Sequence, residues 1–320
     1  MKKLRIIFLI FLCLPLMAFS SRSTTDETRV RIALLKDETD FYISAQGQYE
    51  IIDPTRGAVL EEGRRLKEQQ VVVNRRFVQF GRTDYKTPHV RIIAHKYITI
   101  AKGDDAKQYR GQIDIYVTER GLLLVVNTLG LEEYVRGVLF HEVSHRWPME
   151  ALKAQAVATR SYVLYQAHEN QEQKYDVTSD IYSQVYGGKS AERYRTNIAT
   201  KRTEGEVMIY NGKILPAYFH ANSGGHTEDV KEMWNHPDLP PLSGVEDPYA
   251  EEAPAYYWRR NFRSGDIQRL LKDNGYRIGL IKDITVIDRT RSGRVRTLRI
   301  EDRDGKVITI SGKAFRHIVG

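Results

Sequence analysis

A chain of 320 residues allows one large domain or two small ones, and it is long enough to bury a sizeable core. Its 41% hydrophobic and 28% charged residues are ordinary for a soluble globular protein, and no internal repeat or low-complexity tract interrupts it. The formal net charge of +8 points to an anionic partner without choosing one; nucleic acid is not expected, because no basic tract with interleaved aromatics stands out.

Met1 to Ser20 reads as an export signal. Lys2, Lys3 and Arg5 form a basic start, Ile6 to Met17 is apolar, and Ala18–Phe19–Ser20 offers a cleavage site. The apolar run is shorter than the roughly 20 residues of a spanning helix. An uncleaved anchor over residues 4–19 is the alternative, and both readings put the chain in the periplasm or cell envelope. The single cysteine, Cys13, lies inside this segment. The processed chain is therefore expected to carry no disulfide, no thiol nucleophile and no Cys-ligated zinc. Residues 21–28 read as a polar linker.

Residues 29–126 read as a β-rich part. Short runs of β-branched and aromatic residues, punctuated by Gly, Asp and Pro, predict strands at Val30–Leu35, Phe41–Ser44, Tyr49–Ile52, Val71–Val73, Phe77–Phe80, Val90–Ala94, Tyr97–Ala101, Ile113–Val117 and Leu122–Val126. Glu61 to Gln70 is densely charged and predicts a loop or exposed turn. No catalytic motif precedes residue 131.

The informative stretch is LEEYVRGVLFHEVSHRWPMEALKAQAVATRSYV, Leu131 to Val163. Leu131, Tyr134, Val135, Val138 and Leu139 recur at helical spacing, with Asn127 or Thr128 as a cap and Glu132 and Glu133 at the positive end of the dipole. Pro148 fits the first position of a second helix, where Ala151, Ala154, Ala156 and Ala158 favour close packing. Gln155 and Arg160 interrupt its apolar pattern, and polar groups inside such a helix need partners or a task. Between the helices, His141–Glu142–Val143–Ser144–His145 matches the HExxH zinc-protease pattern. That chemistry needs both histidines one turn apart on one helix, and Pro148 is expected to fray the helix inside the motif. No metal and no cofactor are expected.

Downstream, Lys174 to Gly188 has the character of a functional loop, with Gln184 and Tyr186 able to bind sugar hydroxyls and N-acetyl groups. Glu206 to Phe219 predicts a hairpin turned at Asn211–Gly212, delivering His220, Asn222 and Ser223 ahead of Gly224–Gly225. His220, His226 and His236 do not form a diagnostic metal spacing with Glu228, and a serine nucleophile is not favoured, since no GxSxG elbow is present. Asp238 to Pro254 reads as an excursion loop. Tyr256 to Phe262 reads as a strand with Trp258 in the core. Ser264 caps a helix through Lys272, and Ile284–Ile287, Val295–Ile300 and Val307–Ile310 form a meander turned at Asp304–Gly305. Arg294, Arg296 and Arg299 read as a solvated face, and Ser311 starts a last helix. The whole predicts an α+β fold, mainly antiparallel strands around a central helical segment at about 131–168.

Four blocks, LEEYVRGVLFHE, WPMEALKAQAVATRSYVL, YDVTSDIYSQVYGG and EGEVMIYNGKILPAYFHANSGGHTE, resemble in order and spacing the core of the SpoIID/LytB family of sporulation lytic transglycosylases and amidase enhancers. The resemblance runs from about Val30 to the C-terminus and is dense from Leu131 to Glu228. It implies a SpoIID-like core over 127–320 with a β-rich C-terminal part; family members usually continue past the position of Gly320 with a further strand, and this sequence departs from them there. It also implies cleavage of peptidoglycan glycan strands stripped of stem peptides, with Glu142 as acid and base. Arg160 falls on the family's helix arginine. Gln155, Gln184, Tyr186, His220, Asn222 and Ser223 become candidate substrate contacts. A non-catalytic glycan-binding protein that stimulates a cell-wall amidase is the alternative. For Arg160, a buried salt bridge between helices competes with substrate contact.

Overall fold

The computed structural model describes residues 28–234, 239–253 and 256–320. The stretch expected to be an export signal, most of the expected linker and His236 lie outside the described residues. The described residues form two compact units: one runs to Ile209 and includes Lys213–Ala217, and the other holds Tyr210–Gly212 and Tyr218–Gly320. The architecture is mixed α+β with mostly antiparallel sheets.

The first unit begins with strands β1 (Arg29–Glu38), β2 (Asp40–Gln46), β3 (Tyr49–Asp53), β4 (Ala58–Gly63), β5 (Leu66–Asn74), β6 (Phe77–Phe80), β7 (Thr83–Asp84), β8 (His89–Ala94), β9 (Tyr97–Lys102), β10 (Asp105–Tyr109), β11 (Gln112–Val117) and β12 (Leu123–Gly130). Helices α1 (Leu131–Glu142) and α2 (Met149–Glu169), strand β13 (Val177–Thr178) and helix α3 (Tyr194–Arg202) follow. One sheet has the order β13-β1-β12-β11-β8-β3-β4, the other β10-β9-β2-β5-β6-β7. Side chains alternate along strands such as β2: Phe41, Ile43 and Ala45 are buried while Tyr42 faces water, as the two-residue period of a strand dictates. Strand β12 departs from that period. All eight of its residues are buried, and it pairs with β1 on one side and β11 on the other. Strand and helix residues share one buried cluster, in which Ile32, Ile43 and Ile113 join Tyr134, Val138 and Leu139 of α1.

The charged stretch Glu61 to Gln70 is not a loop. It completes β4 and opens β5, with Glu50 opposite Glu62 and Tyr42 opposite Gln70. Pairing with β3 and β2 overrides composition, and Glu61 is satisfied by the hydroxyls of Tyr49 and Tyr85 at 2.6 and 2.7 Å.

Two helix starts also differ from expectation. Neither Asn127 nor Thr128 caps α1, because β12 runs directly into it through Gly130, and the Leu131 N–H donates to the Thr28 carbonyl. Pro148 is the residue before α2 rather than its first turn; its ψ of 145° is extended, and Met149 begins the helix. Helix α3 has no counterpart in the sequence reading. It buries little more than Thr196, Ala199 and Thr200, so its apolar pattern is faint.

The predicted hairpin shortens to β14 (Ile209–Tyr210) and β15 (Lys213–Ile214), with Asn211 and Gly212 both at positive φ, as a two-residue turn requires. The second unit holds helices α4 (Val230–Met233) and α5 (Ser264–Asp273), the meander β16 (Ile281–Arg289), β17 (Val295–Asp302) and β18 (Val307–Ser311), and helix α6 (Gly312–Val319). Ile267 and Leu271 of α5 pack with Leu298, Ile300 and Ile310 of the sheet. Ser311 caps α6, its hydroxyl accepting the Ala314 N–H at 3.1 Å. Ser264 is the first residue of α5 rather than its cap.

Tyr256 to Phe262 forms no strand, and Trp258 is 80% exposed instead of in the core. The three-stranded sheet is already complete, so no ladder recruits this segment. Arg294, Arg296 and Arg299 are not a bare solvated face. Arg294 donates to the Ser223 and His226 carbonyls, Arg296 to Glu232 and Asp288, and Arg299 to Glu301.

Candidate functional site

Glu142 is the last residue of α1, and Val143 closes the helix with its N–H on the Leu139 carbonyl. His141 therefore lies on the helix while His145 lies in the turn beyond it. The one-turn spacing that the zinc-protease pattern demands is broken, as Pro148 predicts. Among the described residues no group of three or more His, Cys, Asp or Glu side chains gathers to hold a metal.

The Glu142 side chain is half-buried, and burial pushes its carboxyl above the ordinary carboxylate range. One hydrogen bond opposes that push, from the Val185 N–H to Oε1 at 3.2 Å.

The loop that supplies Val185 is tied to α1 a second time, by the Gly187 N–H on the Gly137 carbonyl at 3.0 Å. The approach depends on two glycines. A Cβ on Gly137 would sit 2.4 Å from the Tyr186 ring, and one on Gly187 would sit 2.3 Å from His141 Nε2.

Tyr186 is buried and stacks on Tyr134 with ring centroids 5.4 Å apart. Its hydroxyl donates to Asn127 Oδ1 at 2.9 Å, so it braces the loop against β12. Tyr134 donates to Gln184 Oε1 at 3.0 Å. The other end of that amide, Gln184 Nε2, is buried without a hydrogen-bond partner, as are Gln155 Nε2 and Thr159 Oγ1 on α2. Buried donors of this kind call for a ligand or a bound water.

Tyr162, which the sequence reading passed over, also belongs here. Burial raises its phenol, a hydrogen bond with Ser183 lowers it, and the charge of Glu142 raises it. Its place on α2, two residues after Arg160, was the available signal.

Arg160 is fully buried, and its guanidinium is engaged by other partners. Nε and Nη2 donate to the two carboxylate oxygens of Glu132 at 2.8 and 2.7 Å, and Nη1 donates to the Glu206 carbonyl at 2.9 Å. This is the interhelical salt bridge, one of the two readings set out for it. Asp176 and Asp180 are likewise committed. Asp176 accepts from the Arg31 backbone and guanidinium at 2.7 and 2.9 Å, and Asp180 accepts from Thr178 Oγ1 and the Tyr182 N–H.

His220, Asn222 and Ser223 lie in the second unit. His220 is exposed. Asn222 Oδ1 accepts the Gly224 N–H at 2.7 Å, while its Nδ2 is buried without a partner. Ser223 is buried and donates to Asp247 Oδ2 at 2.6 Å, and its hydroxyl accepts the Gly225 N–H. Glu228 accepts from the Thr290 and Ser292 hydroxyls.

Residues 119–210 match the model of the SpoIID family, described as Stage II sporulation protein. An uncharacterized protein of Brachyspira hyodysenteriae is 33% identical over 65% of this chain and 55% of its own length. This chain thus spans about half of that relative. The amidase enhancer of Bacillus subtilis is 37% identical over 101 residues, 32% of this chain and 13% of its own. Stage II sporulation protein D of Bacillus amyloliquefaciens is 30% identical over 61% of this chain and 67% of its own length. Sharing that extent of sequence, with the matched segment spanning β12, both central helices and the loop that bonds Glu142, the chain belongs to the SpoIID family.

Proposed function

We propose that this protein is an exported peptidoglycan lytic transglycosylase that cleaves MurNAc–GlcNAc strands stripped of stem peptides, with Glu142 as both acid and base. Family membership and the likeness to an amidase enhancer support a role at the cell wall. The observation that carries the catalytic reading is the state of Glu142. A carboxyl raised by burial keeps its proton to higher pH than an exposed one and can deliver it to a leaving glycosidic oxygen. The resulting carboxylate, steadied by the Val185 N–H, then accepts a proton from the C6 hydroxyl of the sugar. That oxygen closes on C1 as the glycosidic bond breaks, giving a 1,6-anhydro end and consuming no water.

Ordinary glycosidases need a second carboxylate to serve as base or nucleophile. The sequence offers Asp176, Asp180 and Glu133 for that role; Asp176 is bonded to Arg31 of β1 and Asp180 to Thr178 within its own loop. One carboxyl in two successive roles removes the requirement. Gln184 Nε2 and Gln155 Nε2, buried and unbonded, suit the acetamido carbonyls of the substrate. Arg160 holds α1 and α2 in register and leaves the substrate to others.

The test is mass spectrometry of products from purified glycan strands, for the parent and for Glu142→Gln, with EDTA in parallel. Anhydro-ended fragments that persist in EDTA and vanish in the variant are expected. Reducing ends would replace transglycosylation with hydrolysis. A second reading follows from the 37% identity to an amidase enhancer: a glycan-binding protein that stimulates a cell-wall amidase. Strands bound but never cut, with faster release of stem peptides by an added amidase, would establish it instead.

A further inference from the structure

Two chain segments converge on Glu142, and each holds a large side chain out in water. The first is the turn that follows α1. Trp147 is 51% exposed there, yet its backbone is pinned: its N–H donates to the Ser144 carbonyl, and Arg195 of α3 donates to the His145 and Trp147 carbonyls at 2.9 and 2.8 Å. The second is the loop that bonds Glu142 through Val185. It is closed at its base by the Tyr186 N–H on the Ser179 carbonyl at 3.1 Å. Asp180 organises its tip, accepting from Thr178 Oγ1 at 2.7 Å and from the Tyr182 N–H at 3.0 Å, while Ser183 Oγ accepts the Thr178 N–H at 3.1 Å. This bonded frame presents Ile181 and Tyr182 at 82% and 85% exposure.

A loose loop would tuck such side chains against the surface. A frame that spends its hydrogen bonds keeping them out is built for something that covers them. The surroundings select the occupant. Tyr182 shares its tip with Ile181, and Asp180 and Ser183 edge the pair; Trp147 follows Arg146. A membrane or protein partner favours a contiguous apolar patch. A pyranose ring offers an apolar CH face edged by hydroxyls, and an aromatic ring in a polar rim matches that pattern. We propose that Tyr182 and Trp147 are stacking platforms of a saccharide subsite, taking pyranose rings of a β-linked amino-sugar strand next to Glu142. This rests on the glycan-cleaving reading above and names the groups that hold its substrate.

The experiment uses the full chain carrying Glu142→Gln, which binds without cutting, and titrates it with chitohexaose and with stem-peptide-free glycan strands by calorimetry and tryptophan fluorescence. Losing one aromatic stack weakens binding about tenfold. Tyr182→Ala and Trp147→Ala are expected to show that loss, whereas Tyr182→Phe and Trp147→Phe retain affinity. In the Glu142 parent the same substitutions raise KM more than they lower kcat. Tyr182→Ala melts with the parent, because the side chain is exposed. Cleavage that depends on Glu142 but is indifferent to both aromatics overturns the subsite and leaves the enzyme reading standing. Strands held through Tyr182 but never cut support the subsite and overturn the enzyme reading. Strands neither held nor cut overturn both.

Discussion

Glu132→Ala is the sharpest test of what holds the two central helices together. Arg160 is fully buried, and the Glu132 side chain is 19% exposed. The substitution deletes both charge-assisted bonds, at 2.8 and 2.7 Å, and also the acceptor for the Gly205 N–H. A buried guanidinium stripped of its counter-ion costs about 3–5 kcal/mol. The low end applies, because Nη1 keeps the Glu206 carbonyl and the exposed edge of Glu132 admits some water. A loss of about 3 kcal/mol in a unit of this size lowers Tm by about 6–12 °C. Adding Arg160→Met removes the stranded charge, and replacing both partners with apolar groups is often close to neutral, so the double variant is expected to recover most of the loss. Calorimetry of the parent, both single variants and the double closes the cycle. A Glu132→Ala protein melting within about 2 °C of the parent would refute the reasoning, since at this scale that is under about 1 kcal/mol.

Three further outcomes are expected. Glu142 has a native pKa above its ordinary value of 4.5, so the folded state binds more protons than the unfolded one. Its contribution is then complete below that value and lost as pH rises through the raised native pKa. Glu142→Gln should gain stability on the parent between acid and neutral pH, and a constant offset in melts across that range contradicts the burial account. Gly137→Ala should destabilise by about 1–3 kcal/mol in urea titrations, although alanine is worth about 1 kcal/mol more than glycine in a helix. The new Cβ drives into the Tyr186 ring, and a net gain would mean that the ring moves freely. Ser223→Ala removes the 2.6 Å bond to Asp247 and should cost about 1 kcal/mol in urea titrations.

Much of the fold was legible because short β-branched runs and three-residue spacings write themselves into sequence. The meander, both central helices and the Asn211–Gly212 turn follow from such local signals. What stayed hidden depended on partners distant in the chain. The charged stretch around Glu61 becomes strand only because β3 lies beside it. Helix α3 carries too few apolar residues to show a period. The run from Tyr256 to Phe262 mixes aromatics with arginines and reads as strand, yet Tyr257 and Trp258 stand in solvent.

At the site, the position of Glu142 on a proline-limited helix end was readable, and so were the polar interruptions at Gln155 and Arg160. The amide of Val185 was not, because a backbone donor 43 residues away leaves no mark on side-chain chemistry. Nor could the spacing 132 to 160 reveal which carboxylate claims the arginine.

Strand β12 bears on how the family's shared segment is to be handled at the bench. The stretch 119–210 is continuous in sequence, but its first strand is enclosed on every residue by β1 and β11, both drawn from earlier in the chain. Cut out alone, that stretch would bare two unpaired backbone edges and a largely apolar ribbon, the signature of an aggregating fragment. The unit that recurs between relatives is thus smaller than the unit that folds. Grafts or minimal versions of the Glu142 site need residues from Arg29 onward to remain in solution.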